Sequence, residues 1–196
     1  MTLVRRSDTN PDWDTLFAVA QGQDGYFTTA QAAESGYSRP LLHKHVAGGK
    51  MARARRGIYR LVHFPASDHE DLVVPWLWSE QAGVFSHETA LALHDLSDVL
   101  PAKIHLTLPA TWRRRRLRVP SGLMLHFADV SDPDRTSLGG VRVTAPLQTL
   151  GDCIEANVAP GLVRQAILQA RRRGLITAAD EVRLRRERGK SRGAAR

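Results

Sequence analysis

Cysteine occurs once in the 196 residues, at Cys153. A lone thiol closes no internal disulfide and builds no thiolate zinc cluster, which fits a reducing compartment. Long apolar runs are missing too. The densest, LVVPWLW at 72–78, falls far short of the roughly 20 residues a membrane helix needs and contains Pro75. The chain does not open with the basic-then-apolar pattern of a secretory signal, so a cytoplasmic, nucleoid-associated location with no membrane partner is expected. Lysine is scarce: among 28 basic residues only Lys44, Lys50, Lys103 and Lys190 are lysines. The arginine bias is what a GC-rich genome produces, which discounts the net charge of +8 as a sign of a polyanionic partner. The positions of the charges carry more information than their number.

Signatures of catalysis are absent as well. A restriction-type nuclease needs an acid two residues before a lysine, but Leu42, Gly48, Pro101 and Arg188 stand at those places. A phosphate-binding loop ending at Gly49 and Lys50 would need glycine at position 44 and a hydroxyl residue at 51, where Lys44 and Met51 occur. No nucleophile elbow of the form G-x-S-x-G exists. Cys153 falls at helical spacing from Leu150 and Ile154, the position of a core thiol. His87 and His94 are seven residues apart on one expected helix; two turns separate them, too far for a two-histidine clip, and no third ligand is evident. No catalytic residue, cofactor or metal is therefore expected, and the chain reads as a non-enzyme.

One absence has a location. From Ser35 to Ser67 there is no acidic side chain, while Arg39, Lys44, Lys50, Arg53, Arg55, Arg56 and Arg60 all fall inside the stretch. After a loose arm over 1–10, Pro11 and Asp12 suit a helix start, with Trp13, Leu16, Phe17 and Ala20 on one face. QGQDG at 21–25 ends that helix. Thr28 or Thr29 suits the cap of a second helix over 30–35. A turn at Gly36 and Tyr37 then leads to a third helix from Ser38, with Pro40 in its first turn and Gly48 and Gly49 at its end. Runs at 51–55 and 57–62 around Arg56 and Gly57 read as a β-hairpin, with Ile58 and Arg60 on one face and Tyr59 and Leu61 on the other. Three short helices and a hairpin form the winged helix-turn-helix arrangement.

Beyond FPASDHE at 64–70 the composition changes. Helices are expected at 68–78 and at 87–96 capped by Ser86, and strands at 104–108, 117–119, 123–128 and 141–144. Helices follow at 146–156, 160–173 and 177–188, the last opening on Thr177 and Asp180 as a capping box with a shorter acid. The fold class is α+β: a winged helix-turn-helix domain at 11–65, a mixed α+β domain at 66–188 and a disordered basic tail at 189–196. Trp76 and Trp78 read as core or interface anchors. Arg171, Arg172 and Arg173 suit the negative end of a helix dipole. WRRRRLR at 112–118, with its Arg113–Arg116 run, lies between two expected strands and reads as a hairpin loop, either solvated or docked on an acidic surface, with a second nucleic-acid contact as the alternative.

In a helix-turn-helix the second helix enters the major groove, and residues near its N-terminus reach the bases. Those residues here are Ser38, Arg39, His43 and Lys44, with Arg39 suited to a bidentate guanine contact. Leu41, Lys44 and His45 share one helix face and Arg39, Leu42, His43 and Val46 the next; the spacing leaves open which of the two reads bases. Lys50, Arg53, Arg55 and Arg56 suit the phosphates from the hairpin, which also carries Arg60.

These segments resemble a known family. FTTAQAA at 27–33, the turn and helix after it, and RRGIYRL at 55–61 resemble the winged-helix domain of the AbiEi antitoxins of type IV toxin–antitoxin systems. FSHETALALHDL, IHLTLP and VRVTAPLQTLGDCI are similar to later segments of many members, so the resemblance spans 13–176. It implies a transcriptional repressor that binds inverted repeats in double-stranded DNA upstream of its own operon. It further implies an antitoxin that opposes a nucleotidyltransferase-like toxin without a tight complex. Direct neutralisation by binding a toxin, or regulation with no toxin at all, are the alternatives.

Overall fold

Asp12 begins the first helix. In the computed structural model, which describes residues 10–67, 69–138 and 140–194, its carboxylate accepts from the Thr15 N–H at 3.1 Å, and α1 runs Trp13–Gln21. Leu16 and Ala20 are fully buried, whereas Trp13 and Phe17 stay 45% and 38% exposed. The helix face read from the sequence is thus only half core, and its aromatic half runs in tilted ring contacts toward Phe64. The arm at 1–9 lies outside the described residues.

Next comes β1 (Tyr26–Thr28), three residues that the sequence does not reveal as a strand. Thr28 then caps α2 (Thr29–Glu34): its hydroxyl accepts from the Gln31 N–H, and the Gln31 side chain accepts from the Thr28 N–H at 2.8 Å. Ser38 caps α3 (Arg39–Ala47), with Pro40 in the first turn and Gly49 at φ +71° just past the end. The hairpin is β2 (Met51–Arg55) and β3 (Ile58–Leu61). β3 is the central strand of an antiparallel sheet ordered β1-β3-β2, with Phe27 opposite Tyr59 and Met51 opposite Leu61.

Strand alternation divides the sheet between two cores. Phe27, Met51, Tyr59 and Leu61 pack with Leu16, Ala20 and Leu42. Tyr26 and Ile58 turn the other way, onto Val73 and Leu77 of α4 (Glu70–Trp78), with Trp76 and Trp78 partly buried against them. The chain divides into units ending at Gln81 and starting at Ala82. Helix α4 therefore belongs with the first sheet, whereas its position after the FPASDHE linker had assigned it to the domain expected over 66–188. The reason is local: bare of α4, this sheet face would expose Tyr26 and Ile58. The residue expected to open that helix, Asp68, lies outside the described residues.

The second unit is a mixed five-stranded sheet, ordered β6-β5-β4-β8-β7, with a helical layer. Its elements are β4 (Val84–Phe85), α5 (His87–Leu93), β5 (Ile104–Leu108), β6 (Leu123–Phe127), β7 (Arg135–Leu138), β8 (Val141–Thr144), α6 (Pro146–Glu155), α7 (Pro160–Arg172) and α8 (Ala178–Ala194). Leu91, Leu96, Leu150, Cys153, Ala166, Ile167 and Leu184 form its core. Burial pushes the Cys153 thiol well above its ordinary range, as befits a core residue. Thr177 and Asp180 make the reciprocal bonds of the shortened capping box.

Three expectations are corrected here. No strand forms at 117–119, and β5 and β6 run parallel, so residues 109–122 are a crossover and not a hairpin loop. In that crossover Trp112 is buried within a 3₁₀ turn, Arg115 lies 3.9 Å above its ring, and Arg113 donates to the Phe127 carbonyl at 3.2 Å. Two arginines of the run are therefore fastened to the fold. The tail read as disordered is helical as far as Ala194, because α8 continues through 189; residues 195–196 lie outside the description. α5 ends at Leu93, short of 96.

His94 closes α5 with bonds at both ends. Its Nε2–H donates to the Thr144 carbonyl at 2.7 Å, and Arg173 donates to the His94 carbonyl at 2.6 Å. Burial, chiefly, with Arg173 adding to it, holds the imidazole below its ordinary pKa, partly offset by the Thr144 bond. The unfolded chain therefore takes up a proton near pH 6.5 that the folded chain refuses, and stability falls as pH falls below that value. Urea unfolding at about pH 7 and about pH 5.5 should show a loss that His94→Gln reduces, by up to about 1.4 kcal/mol per pH unit.

Candidate nucleic-acid interface

An exposed arc runs along α3. At about 100° per residue, Arg39, His43, Ala47, Pro40 and Lys44 cover one side, and all five are exposed. Opposite them Leu42 is fully buried, Leu41 and Val46 pack on the first core, and His45 sits against the Tyr37 ring at 5.7 Å. The outward side is therefore neither of the two faces drawn from the sequence. It takes Arg39 and His43 from one and Lys44 from the other, because two full faces are needed to seat four partly or wholly buried residues. Ser38, exposed, is occupied in capping Leu41 at 3.4 Å.

The hairpin adds a second basic strip. Lys50, Arg53 and Arg56 are exposed and Arg55 is half-buried. Pairing of Arg53 with Tyr59 but of Arg55 with Ile58 leaves Ala54 as an extra residue, a bulge that breaks the alternation between the two arginines. At the turn Gly57 adopts φ +82°, a conformation only glycine takes without strain. Its carbonyl accepts from the Thr29 N–H at 2.9 Å and from the Thr29 hydroxyl at 3.3 Å. The tip of the hairpin is thereby bolted to the start of α2, and the two basic strips are carried on one rigid frame.

Arg60 does not join them. Its guanidinium pairs with Glu70 at 2.8 Å, lies 5.6 Å from the Tyr26 ring and donates to the Phe64 carbonyl at 2.9 Å. Glu70 also accepts from the Tyr26 hydroxyl at 2.6 Å. Burial, then this bond, pushes the Tyr26 phenol up to about 12. The acid that neutralises Arg60 lies just beyond the acid-free stretch, which is why counting charges within the stretch includes Arg60 wrongly.

Comparison with known proteins bears on this frame. Residues 14–62 match the family described as transcriptional regulator, AbiEi antitoxin. The AbiEi match begins at α1 and ends one residue past β3, so it contains every exposed basic residue named above. The later segments that resemble family members in sequence lie outside it. The crystal structure of the RV2827C protein from Mycobacterium tuberculosis is similar to 93% of this chain and 75% of that one, with a TM-score of 0.51 and 14% identity. At that identity the likeness speaks for the fold alone, a mixed α+β architecture with two sheets. No curated protein matches the chain. Among the described residues no helix is long and apolar enough to cross a membrane.

The second unit holds a cluster that the sequence does not reveal. His87, His105 and His126 each bring a ring nitrogen within 4.8 Å of the others. His94, the partner weighed for His87 in the sequence, faces Thr144 instead. The sequence signal is modest: a histidine opening a helix, and one in each of two strands.

Proposed function

We propose that this chain is a sequence-specific DNA-binding repressor whose residues 11–65 form a winged helix-turn-helix. In this reading α2 and α3 are the helix pair, α3 enters the major groove, and β2–β3 is the wing. Ser38, Arg39, His43 and Lys44 meet base edges and adjoining phosphates, while Lys50, Arg53, Arg55 and Arg56 meet the backbone. The observation that carries the reading is the exposed arc of α3 beside an arginine hairpin held by Thr29 and Gly57. The AbiEi match at 14–62 supports it independently.

The same match supports an antitoxin role. The chain would occupy inverted repeats at its own promoter, exclude polymerase, and oppose a nucleotidyltransferase-like toxin without a tight complex. The protein acts in the cytoplasm at the nucleoid, and the second unit, from Ala82 onward, carries the antitoxin function. No enzymatic activity is assigned.

The deciding experiment is a titration of the chain's own upstream DNA at several salt concentrations. Log K should fall linearly with log salt, and Arg55→Ala with Arg56→Ala should flatten the slope by about 1 to 2 units, since each phosphate contact contributes about −0.9. A slope unmoved by the double substitution removes the hairpin from the interface. Stoichiometric co-purification of a toxin would replace repression by direct neutralisation as the principal role.

A further inference from the structure

The side chains of His87, His105 and His126 have no part in the DNA-binding reading, and they converge from three separate elements. His87 is the first residue of α5; His105 lies in β5 and His126 in β6. In the parallel register Thr107 faces His126, so His105 and His126 are diagonal neighbours on one sheet face. The ring centroids lie 3.6 Å apart for His87 and His126, 5.2 Å for His105 and His126, and 5.6 Å for His87 and His105. We propose that these three imidazoles form a binding site for one divalent transition-metal ion of the Zn²⁺ type, with its remaining coordination position open to the adjoining cleft.

Two of the three rings already have the outer bond that orients a ligating imidazole. His105 Nε2 lies 3.2 Å from the Glu88 carboxylate and so carries its proton there, which leaves a lone pair on Nδ1. His87 Nδ1 lies 2.8 Å from the Ser86 hydroxyl, which itself accepts from Thr107 at 2.7 Å; its Nε2 is the nitrogen left for an ion. Carboxylate and hydroxyl partners of this kind fix the tautomer and orientation of metal-binding histidines. His105 Nδ1 and His126 Nε2 are 3.0 Å apart and share one proton. An ion takes the place of that proton, and His126 carries its own on Nδ1 instead.

A purely structural explanation covers only part of the cluster. The chain Glu88–His105–His126 satisfies two of the rings through hydrogen bonds. His87 makes no bond to either ring and is brought over His126 by a backbone at φ +52°, an uncommon conformation outside glycine. Burial, then the neighbouring rings, holds His87 down to about 3, and burial likewise lowers His105 and His126.

His87 and His126 also line a cleft of about 400 Å³ that includes Asp129, Asp134, Asp152 and Glu155. These acids outnumber the one arginine in the same lining, Arg113, and favour the approach of a cation. Three imidazoles and no thiolate suit Zn²⁺, Co²⁺, Ni²⁺ or Cu²⁺ over Mg²⁺ or Ca²⁺. Tetrahedral Zn–N bonds of about 2.0–2.1 Å place the nitrogens roughly 3.3 Å apart, so the His105–His126 pair at 3.0 Å opens slightly while the His87 ring moves in and tilts away from its stack on His126.

The test uses the full chain without a histidine tag, stripped with chelator and titrated with Co²⁺ followed by Zn²⁺. One Co²⁺ per chain, with the intense visible absorption of a four-coordinate ion and displacement by one equivalent of Zn²⁺, is the expected result. His126→Ala should abolish the band, His94→Gln should leave it, and Glu88→Gln should weaken affinity by about 10–100-fold while keeping the spectrum. Absence of the band in the parent chain overturns the assignment, as does its persistence in His126→Ala. Should His126→Ala fail to fold, an affinity unchanged in Glu88→Gln overturns it equally.

Discussion

Phe27→Ala is expected to destabilise the first unit by about 3–5 kcal/mol, a large share of the 5–15 kcal/mol that holds a typical domain together. Phe27 is fully buried, stacks on Tyr59 with centroids 5.9 Å apart, and shares its core with Leu16, Leu42 and Met51. Truncation leaves a ring-sized gap between α1, α3 and the sheet that these neighbours fill only in part. Hydrogen exchange of the β3 amides would report the loss directly, and DNA binding should fall with it because α3 rests on the same core. A loss below about 1.5 kcal/mol would show that the helices collapse onto the gap.

The second large effect concerns recognition and not folding. Arg39→Ala should weaken binding to the operator by about 1–3 kcal/mol, roughly 5- to 150-fold, and binding to random DNA far less. Arg39 is exposed in the first turn of α3, the position from which the proposed reading has it reach base edges. The stability of the first unit should be unchanged, which separates this variant from Phe27→Ala. Equal losses on both DNAs would make Arg39 a phosphate contact.

The parts legible in the sequence were those fixed by chemistry within a few residues. Thr28 with Gln31, Ser38 with Leu41 and Thr177 with Asp180 announce helix starts through bonds that span three positions, and Gly57 announces its turn through a positive φ. Strands were missed at β1 and β4, whose three and two residues are too few to show alternation, and at β7, whose RTSL holds a single apolar residue. The direction of pairing was misjudged for β5 and β6 because the intervening residues 109–122 hold no long helix to announce a crossover. Arg60 looked like its neighbours until Glu70, which lies outside the basic stretch, was seen to claim it. The three histidines were illegible for the same reason: 18 residues separate His87 from His105 and 21 separate His105 from His126, and only the sheet register brings them together.

The central strand of the second sheet has only two residues, and one of its neighbours is β8, through Phe85 opposite Val143. Residues 86–142 must be made before that pairing can close. Every strand of the first sheet, by contrast, pairs within 26–61. On a ribosome adding about 5–20 residues per second, the basic hairpin and α3 can be in place several seconds before β8 emerges. A nascent chain thus presents its basic frame while the second unit is still an open, aggregation-exposed polymer, and synthesis order separates the two in time.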